Sequence, residues 1–467
     1  MGPFGRAHGG GVVMGTIELL DLKRLVEQKE VDTVVTVFPD HFGRFMGKRI
    51  TGHYFLDEVA RSGMHACNYL LACDVEMDPT PGYNYASWEK GYGDVHAVPD
   101  LATLRLLPWA EKTAFVICDL FDAGDQPTRI APRQILKTQL ERAKAMGLWP
   151  MGASELEFYT FRDTYEQARE KRFHGLEPYS WYIEDYHILQ GAKEEWLIRK
   201  IRNDMDEAGV PVEFSKGEWG PGQHEINLRY ADFLEMADRH SLYKHGVKEI
   251  AAQSDVSVTF MAKWHEKYAG SSCHVHASLW DAEGGKSLCV DDAGRFGMSD
   301  LFRHWLAGQL KYASDLTLFF APFVNSYKRY QSGSFAPTRI AWAVDNRTVG
   351  FRVLGKGSSL RAESRIPGAD ANPYLVFAAV LAAGLAGIEE KLELDEPFAG
   401  DAYAAKGLHT IPTSLPEAIV AMERSSIARR AFGDDVIEHY LHAARTEQQK
   451  FESVVTCWER QRHFERT

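Results

Sequence analysis

The chain has 467 residues, 45% hydrophobic and 25% charged, with a net charge of −12 at pH 7. That composition is globular, with room for two or three domains and a large core. The acidic balance argues against a nucleic-acid or membrane-surface role, where a basic excess is expected, but leaves anionic small substrates open, because a few arginines can dominate a cleft.

Six cysteines without CxxC spacing, beside 11 tryptophans and 25 phenylalanines, fit free thiols in a reducing cytoplasm. The start, MGPFGRAHGGGVV, lacks the apolar run of a signal peptide, and residues 1–13 read as a flexible tail. No run of about 18 apolar residues occurs, so no transmembrane helix is expected.

In chain order, residues 17–29 read as an amphipathic helix and residues 32–38 and 44–51 as a hairpin. Strand-rich sequence follows to about residue 107, interrupted by the turn-rich PTPGYNYASWEKGYGD. A domain boundary is placed near residue 112. AFVICDL then reads as a strand, and APRQILKTQLERAKAMG as a helix with Pro132 early, where proline is tolerated. The strand ASELEFYTF follows. Residues 193–209, 230–254 and 299–319 read as helices, VSVTFMAKW as a strand, and 339–367 as a cluster of strands. The last hundred residues are mostly helical. The stretch from residue 373, PYLVFAAVLAAGLAGIEEKL, is apolar nearly all round and should be buried. The class is α+β with antiparallel sheet.

Four of these segments share one pattern: Glu155 and Glu157 in ASELEFYTF; Glu225, Asn227 and Arg229 in GQHEINLRY; His274, His276 and Ser278 in SSCHVHASLW; Arg361, Glu363 and Arg365 in LRAESRIP. Side chains at i and i+2 of a strand share a face, so each segment lines one face with polar or ionisable groups. One such face alone is as readily the solvated side of an antiparallel sheet. Four with complementary chemistry point to a site. Carboxylates with imidazole suit hard divalent cations, and arginines suit phosphate or carboxylate. Cys273 beside the histidines suggests zinc, but in a strand it faces away from both and reads as a small core residue. Arg361 reads as a surface cation.

With ELEF, EWGPGQHEI, GSSCHVHASLW, NSYKR, NRT and RAESRIPGADANPYL in collinear order, the chain resembles the glutamine synthetase family from about residue 17 onward. The resemblance implies an N-terminal β-grasp domain over 14–112 and a catalytic domain over 113–467 with a funnel of antiparallel strands. It also implies a homo-oligomer of stacked hexamers, a dodecamer, with active sites between subunits. By residue match it implies Glu157, Glu218 and Glu225 as ligands of one Mg²⁺ or Mn²⁺, and Glu155, His274 and Glu363 as ligands of a second. Arg329, Arg365 and the backbone at Gly270 would hold glutamate, Arg347 and Arg352 would flank the transferring phosphate, and His276 and Ser278 would contact ATP.

The departures from the family bear on the acceptor. Ammonia-using members carry a flap glutamate where GSFAP here places Phe335. Their Asp-Gly-Ser-Ser loop corresponds here to MHACNYLL, without a carboxylate, and Ala269 stands where they commonly carry Asn. A small cation buried against Phe335 without a counter-charge is costly, whereas an organic amine gains from apolar burial. The expectation is a ligase that joins an alkyl- or arylamine to the γ-carboxylate of glutamate through γ-glutamyl phosphate. The alternative is a true glutamine synthetase using ammonia. Asp74, Tyr186 and a phosphate oxygen are candidates for the base an alkylamine needs.

Overall fold

The computed structural model describes residues 15–467, so the tail expected over 1–13 lies outside the described residues. The first unit is a seven-stranded sheet: β1 (Thr33–Pro39), β2 (Phe45–Thr51), β3 (Met64–Cys67), β4 (Asp94–Pro99), β5 (Arg105–Leu106), β6 (Thr113–Asp122) and β7 (Gln126–Pro127). Its order is β2-β1-β6-β4-β3, with β5 and β7 on β6. β1 and β2 form the expected hairpin, closed by Asp40, whose Oδ1 accepts the N–H groups of Phe42 and Arg44 at 3.0 and 2.8 Å. The helix Leu19–Glu27 buries Leu22 and Leu25, the inward pair of its amphipathic face.

The boundary expected near residue 112 cuts through this sheet. β6 begins at Thr113 and lies at its centre, parallel to β1 and antiparallel to β4, so the first sheet runs to Pro127. A central strand buried on both faces reads as a continuous apolar run, which does not reveal which sheet it joins.

The second sheet has nine strands: β8 (Leu148–Phe161), β9 (Val212–Gly217), β10 (Gln223–Leu228), β11 (Ala231–Asp232), β12 (Ser257–Thr259), β13 (Cys273–Asp281), β14 (Trp342–Val344), β15 (Phe351–Leu354) and β16 (Arg361–Ser364). The path is β14-β15-β16-β13-β8-β10-β9, with β11 and β12 on β8. Every pairing is antiparallel except β14 with β15.

Helices cover the back of this sheet. Phe233–Gln253 starts at Asp232, whose carboxylate caps the N–H groups of Leu234 and Glu235. Pro132–Ala145 carries proline in its first turn, as expected. Pro373–Glu389 is buried from Pro373 to Gly387, and Asn372 caps it. The helix expected over 299–319 breaks into Asp300–Tyr312 and Thr317–Phe320, and VSVTFMAKW contributes only Ser257–Thr259 to the sheet. Beyond that strand Trp264 turns in, edge-on against Phe161 at 4.7 Å. All six cysteines are free. No helix among the described residues is long and apolar enough to cross a membrane.

Candidate active site

Alternation along β8 sends Leu156 and Phe158 into the core, 1% and 0% exposed, and leaves Glu155 and Glu157 on the opposite face. Antiparallel register does the rest. Glu225 lies opposite Glu157, His274 opposite Glu155, and Glu363 opposite both His276 and Arg352. Side chains from five strands are thereby gathered on one face, with Glu218 joining from the turn before β10.

Glu157, Glu218 and Glu225 each offer an oxygen, and these atoms lie within 4.8 Å of one another. Glu157 also accepts the N–H of Ser272 at 2.9 Å and Gln223 Nε2 at 3.2 Å. Asn227 Nδ2 donates to Glu225 at 2.6 Å. Burial and the neighbouring Glu218 push Glu157 up to about 8; burial, Glu155 and Glu218 push Glu225 well above the usual carboxylate range. Lys216 pairs with Glu218.

The second group is held by imidazoles. His274 Nδ1 lies 3.2 Å from Glu155 and 3.4 Å from Glu363, and His276 Nε2 lies 2.8 Å from Glu155. Burial and then Arg365 lower the His274 pKa, favouring the neutral ring. Burial works to raise Glu155, yet His276 and His274 hold it well below the usual range. Glu363 is also bonded by Arg365 and, at 3.1 Å, by Arg352. His276 therefore sits among the carboxylates: Glu155, His276 and Glu363 present ligand atoms within 4.8 Å of one another. Arg361, read above as a surface cation, donates to His276 Nδ1 at 3.2 Å and belongs to the rim of the site.

The donor set fits divalent cations. Three carboxylates, with Glu157 and Glu225 buried and Glu218 half-buried, converge where their mutual repulsion asks for positive charge, and His274 Nε2 is buried without a hydrogen-bond partner. Oxygen-rich sites with a single imidazole suit Mg²⁺ or Mn²⁺ rather than a structural zinc.

Arg329 is 1% exposed. Its Nη1 donates to Ser272 Oγ at 3.0 Å, its Nη2 to the carbonyl of Ile366, and its Nε has no partner. A Cβ at Gly270 would lie 2.5 Å from Arg329 Cγ and 2.7 Å from the Ala262 carbonyl, so only glycine fits beneath that arginine. Arg365 Nη2 donates to the carbonyl of Phe335 at 3.3 Å, tying the flap to the site. Arg347 is exposed; Arg352 first, and Arg347 after it, lower the pKa of Asp345, and Arg347 opposes the upward push on Asp185. Ser278 is half-buried and accepts Trp280 Nε1 at 3.0 Å. Phe335 is 48% exposed at φ 58°. Of the candidate bases, Asp74 pairs with Lys450 and caps the N–H of Asp78 at 2.9 Å, which leaves it a structural role in its own loop. Tyr186 is exposed, its ring 4.6 Å from Lys216 Nζ.

Several residues were missed by the sequence reading. Lys216 precedes Glu218 by two, the same spacing that marked the other segments. Trp219 directly follows Glu218 and meets the Phe335 ring at 5.9 Å. Glu184 arrives from an irregular segment without periodicity, and Glu194 from the N-cap of the helix Glu195–Glu207. His224 Nε2 lies 2.8 Å from Glu194 and 3.5 Å from Glu184, and Glu184 accepts the N–H of Gly222 at 3.0 Å.

Residues 129–463 match the family described as glutamine synthetase, catalytic domain. The chain is 50% identical over 446 residues to the γ-glutamylethanolamide synthetase GlnA4 of Streptomyces coelicolor, covering 96% of this chain and 95% of that protein. It is 35% identical over 451 residues to a glutamate–isopropylamine ligase from a Pseudomonas species, covering 96% and 98%. A solved structure described as a GmaS/ADP complex superposes with a TM-score of 0.83 at 28% identity, covering 95% of this chain and 99% of that one. Fold and site thus define an ATP-dependent carbon–nitrogen ligase that uses divalent metal. The chain belongs to the glutamine synthetase family.

Proposed function

We propose that this chain joins an organic amine to the γ-carboxylate of L-glutamate, consuming ATP and releasing a γ-glutamylamide, ADP and phosphate. Within that class, a short hydroxylated alkylamine such as ethanolamine is favoured by the product named for the 50%-identical Streptomyces relative. The observation that carries the choice of amine over ammonia is Phe335, an aromatic ring in the flap position where ammonia-using members place a carboxylate, with its carbonyl bonded to Arg365. An ammonium ion needs counter-charge and hydrogen-bond acceptors, and this ring supplies neither.

The roles follow from charge and placement. Arg329 and Arg365 are assigned the glutamate carboxylates, with Gly270 leaving room for the Arg329 stem. A γ-carboxylate oxygen attacks the γ-phosphorus of ATP and ADP leaves. The amine nitrogen then attacks the acyl carbon, phosphate departs, and the nitrogen gives up a proton. Phosphoryl transfer needs alignment and charge neutralisation more than covalent help, and Arg347 and Arg352 are assigned that task on the protein side. His276 and Ser278 are assigned to the nucleotide, a role supported for His276 by its contact with the proposed metal ligand Glu155.

Glu157, Glu218 and Glu225 would hold one Mg²⁺ or Mn²⁺, and Glu155, His274 and Glu363 a second. When bound, such cations neutralise phosphate charge. A cytoplasmic dodecamer with sites between subunits, the arrangement the family resemblance implies, completes the proposal.

The test is product formation, checked by mass, with glutamate, ATP and Mg²⁺ or Mn²⁺ against ammonia, ethanolamine, alkylamines, polyamines and anilines. Strong turnover of one organic amine with little glutamine is expected, and Phe335→Glu should shift use toward ammonia. Best turnover with ammonia by the unaltered protein would make it a glutamine synthetase.

A further inference from the structure

Trp219 is the aromatic residue that the function described so far leaves unused. It is 50% exposed although it follows the metal-ligand candidate Glu218 directly. Its position is set by the glycines around it. A Cβ at Gly220 would collide with the Tyr159 hydroxyl, and one at Gly217 would lie 2.5 Å from Glu184 Cβ and 2.8 Å from the Glu184 carbonyl. The turn carrying Trp219 is thus pressed between β8 and the 184 segment, and Glu184 anchors its far end through the N–H of Gly222. That fixes the backbone from which the indole projects.

Across the mouth stands Phe335. Its backbone occupies the left-handed region at φ 58°, a strained conformation for a non-glycine residue that persists only where surroundings hold it. Two bonds do so here: Arg365 Nη2 to the Phe335 carbonyl at 3.3 Å, and the Tyr403 hydroxyl to the Ala336 carbonyl at 2.9 Å. The two rings meet edge to face, 5.9 Å apart at 63°, yet each keeps about half its surface open. Tyr186 adds a third exposed ring, above the lysine that pairs with Glu218. Two large rings on fixed backbone, left open beside the carboxylate cluster, form an apolar wall with a polar floor, the usual make-up of a small-molecule pocket. Among the described residues Trp219 Nε1 has no hydrogen-bond partner, so it remains a free donor at that wall.

We propose that Trp219 is a specificity-determining residue for the acceptor: its face packs on the carbon chain of a short primary amine, and its indole N–H donates to an oxygen at the far end of that chain. This rests on the reading of the protein as a glutamate–amine ligase. It names the acceptor by chemistry: two or three carbons, an amine at one end, a hydrogen-bond acceptor at the other. Ammonia reaches neither contact.

The test compares kcat/KM for ethanolamine, n-propylamine and ammonia in the wild type, Trp219→Phe and Trp219→Ala, with the KM for glutamate recorded for each. Trp219→Phe keeps an aromatic face and removes the donor, so the ethanolamine-to-propylamine ratio should fall about tenfold while propylamine use is kept. Trp219→Ala removes the wall, so the ratio of either amine to ammonia should fall about tenfold or more. An unchanged glutamate KM in both variants shows that the rest of the site is intact. Unchanged amine ratios in both variants, with wild-type turnover of organic amines, would overturn the role of Trp219 alone. A wild type that prefers ammonia would instead overturn the functional reading beneath it.

Discussion

At the residue scale, Glu363 and Arg365 show how one strand end serves several tasks. They are two apart, and their side chains bond to each other, while Arg365 also reaches the flap carbonyl of Phe335. A guanidinium can hold Glu363, the flap and a substrate carboxylate together because its donors form a planar fork. An ammonium is a point charge and cannot. Arg365→Lys should therefore raise the KM for glutamate by about tenfold, the equivalent of one strong charge-assisted bond. Its effect on the KM for ATP should be smaller. A glutamate KM equal to that of the wild type would remove Arg365 from the glutamate site.

At the scale of elements, the site depends on how closely the helices pack behind the sheet. Asp300–Tyr312 and Pro373–Glu389 cross at Gly308 and Gly387, where a Cβ on Gly308 would collide with the Ala383 carbonyl and one on Gly387 with the His304 carbonyl. Gly384 gives Trp305 its space on the same face. Helical glycine is intrinsically poor, by roughly 1 kcal/mol against alanine, so its presence here reflects the close approach. Gly387→Ala should lower the thermal midpoint in spite of the better helix propensity, because neither facing backbone can yield without moving a helix. A raised midpoint in differential scanning calorimetry would show that the crossing is looser than described.

This scale also shows what could be read in advance. The hairpin Thr33–Pro39/Phe45–Thr51 and the strands bearing Glu155, His274 and Glu363 carry a local period, the helix Pro373–Glu389 carries an unbroken apolar run, and each forms where expected. The segment with Glu184 has neither. Its place beside His224 follows from packing between strands distant in the chain.

At the scale of the whole molecule, the sheet face concentrates buried carboxylates that would destabilise the fold without positive charge near them. Lys216, Arg352 and Arg365 supply part of it. Divalent cations should supply the rest, so adding Mg²⁺ or Mn²⁺ to chelator-treated protein should raise the thermal midpoint. Binding to the folded state alone contributes about 2.7 kcal/mol at a hundredfold excess over Kd. The same addition to Glu218→Ala should give a smaller rise, and an equal rise would place the cation elsewhere.

The two-residue alternation of strands is a local rule, so the order of residues alone determined which carboxylates, imidazoles and arginines would share a face, and with the motif order it determined the family. It also determined that the flap carries Phe335 instead of an acid. Only the tertiary structure decided where the first sheet ends, that His276 and Arg361 join the carboxylates, that Asp74 is committed to Lys450, and that Trp219 stands against Phe335. These depend on contacts between segments far apart in the chain, set by strand order and turn packing, and no local period encodes them.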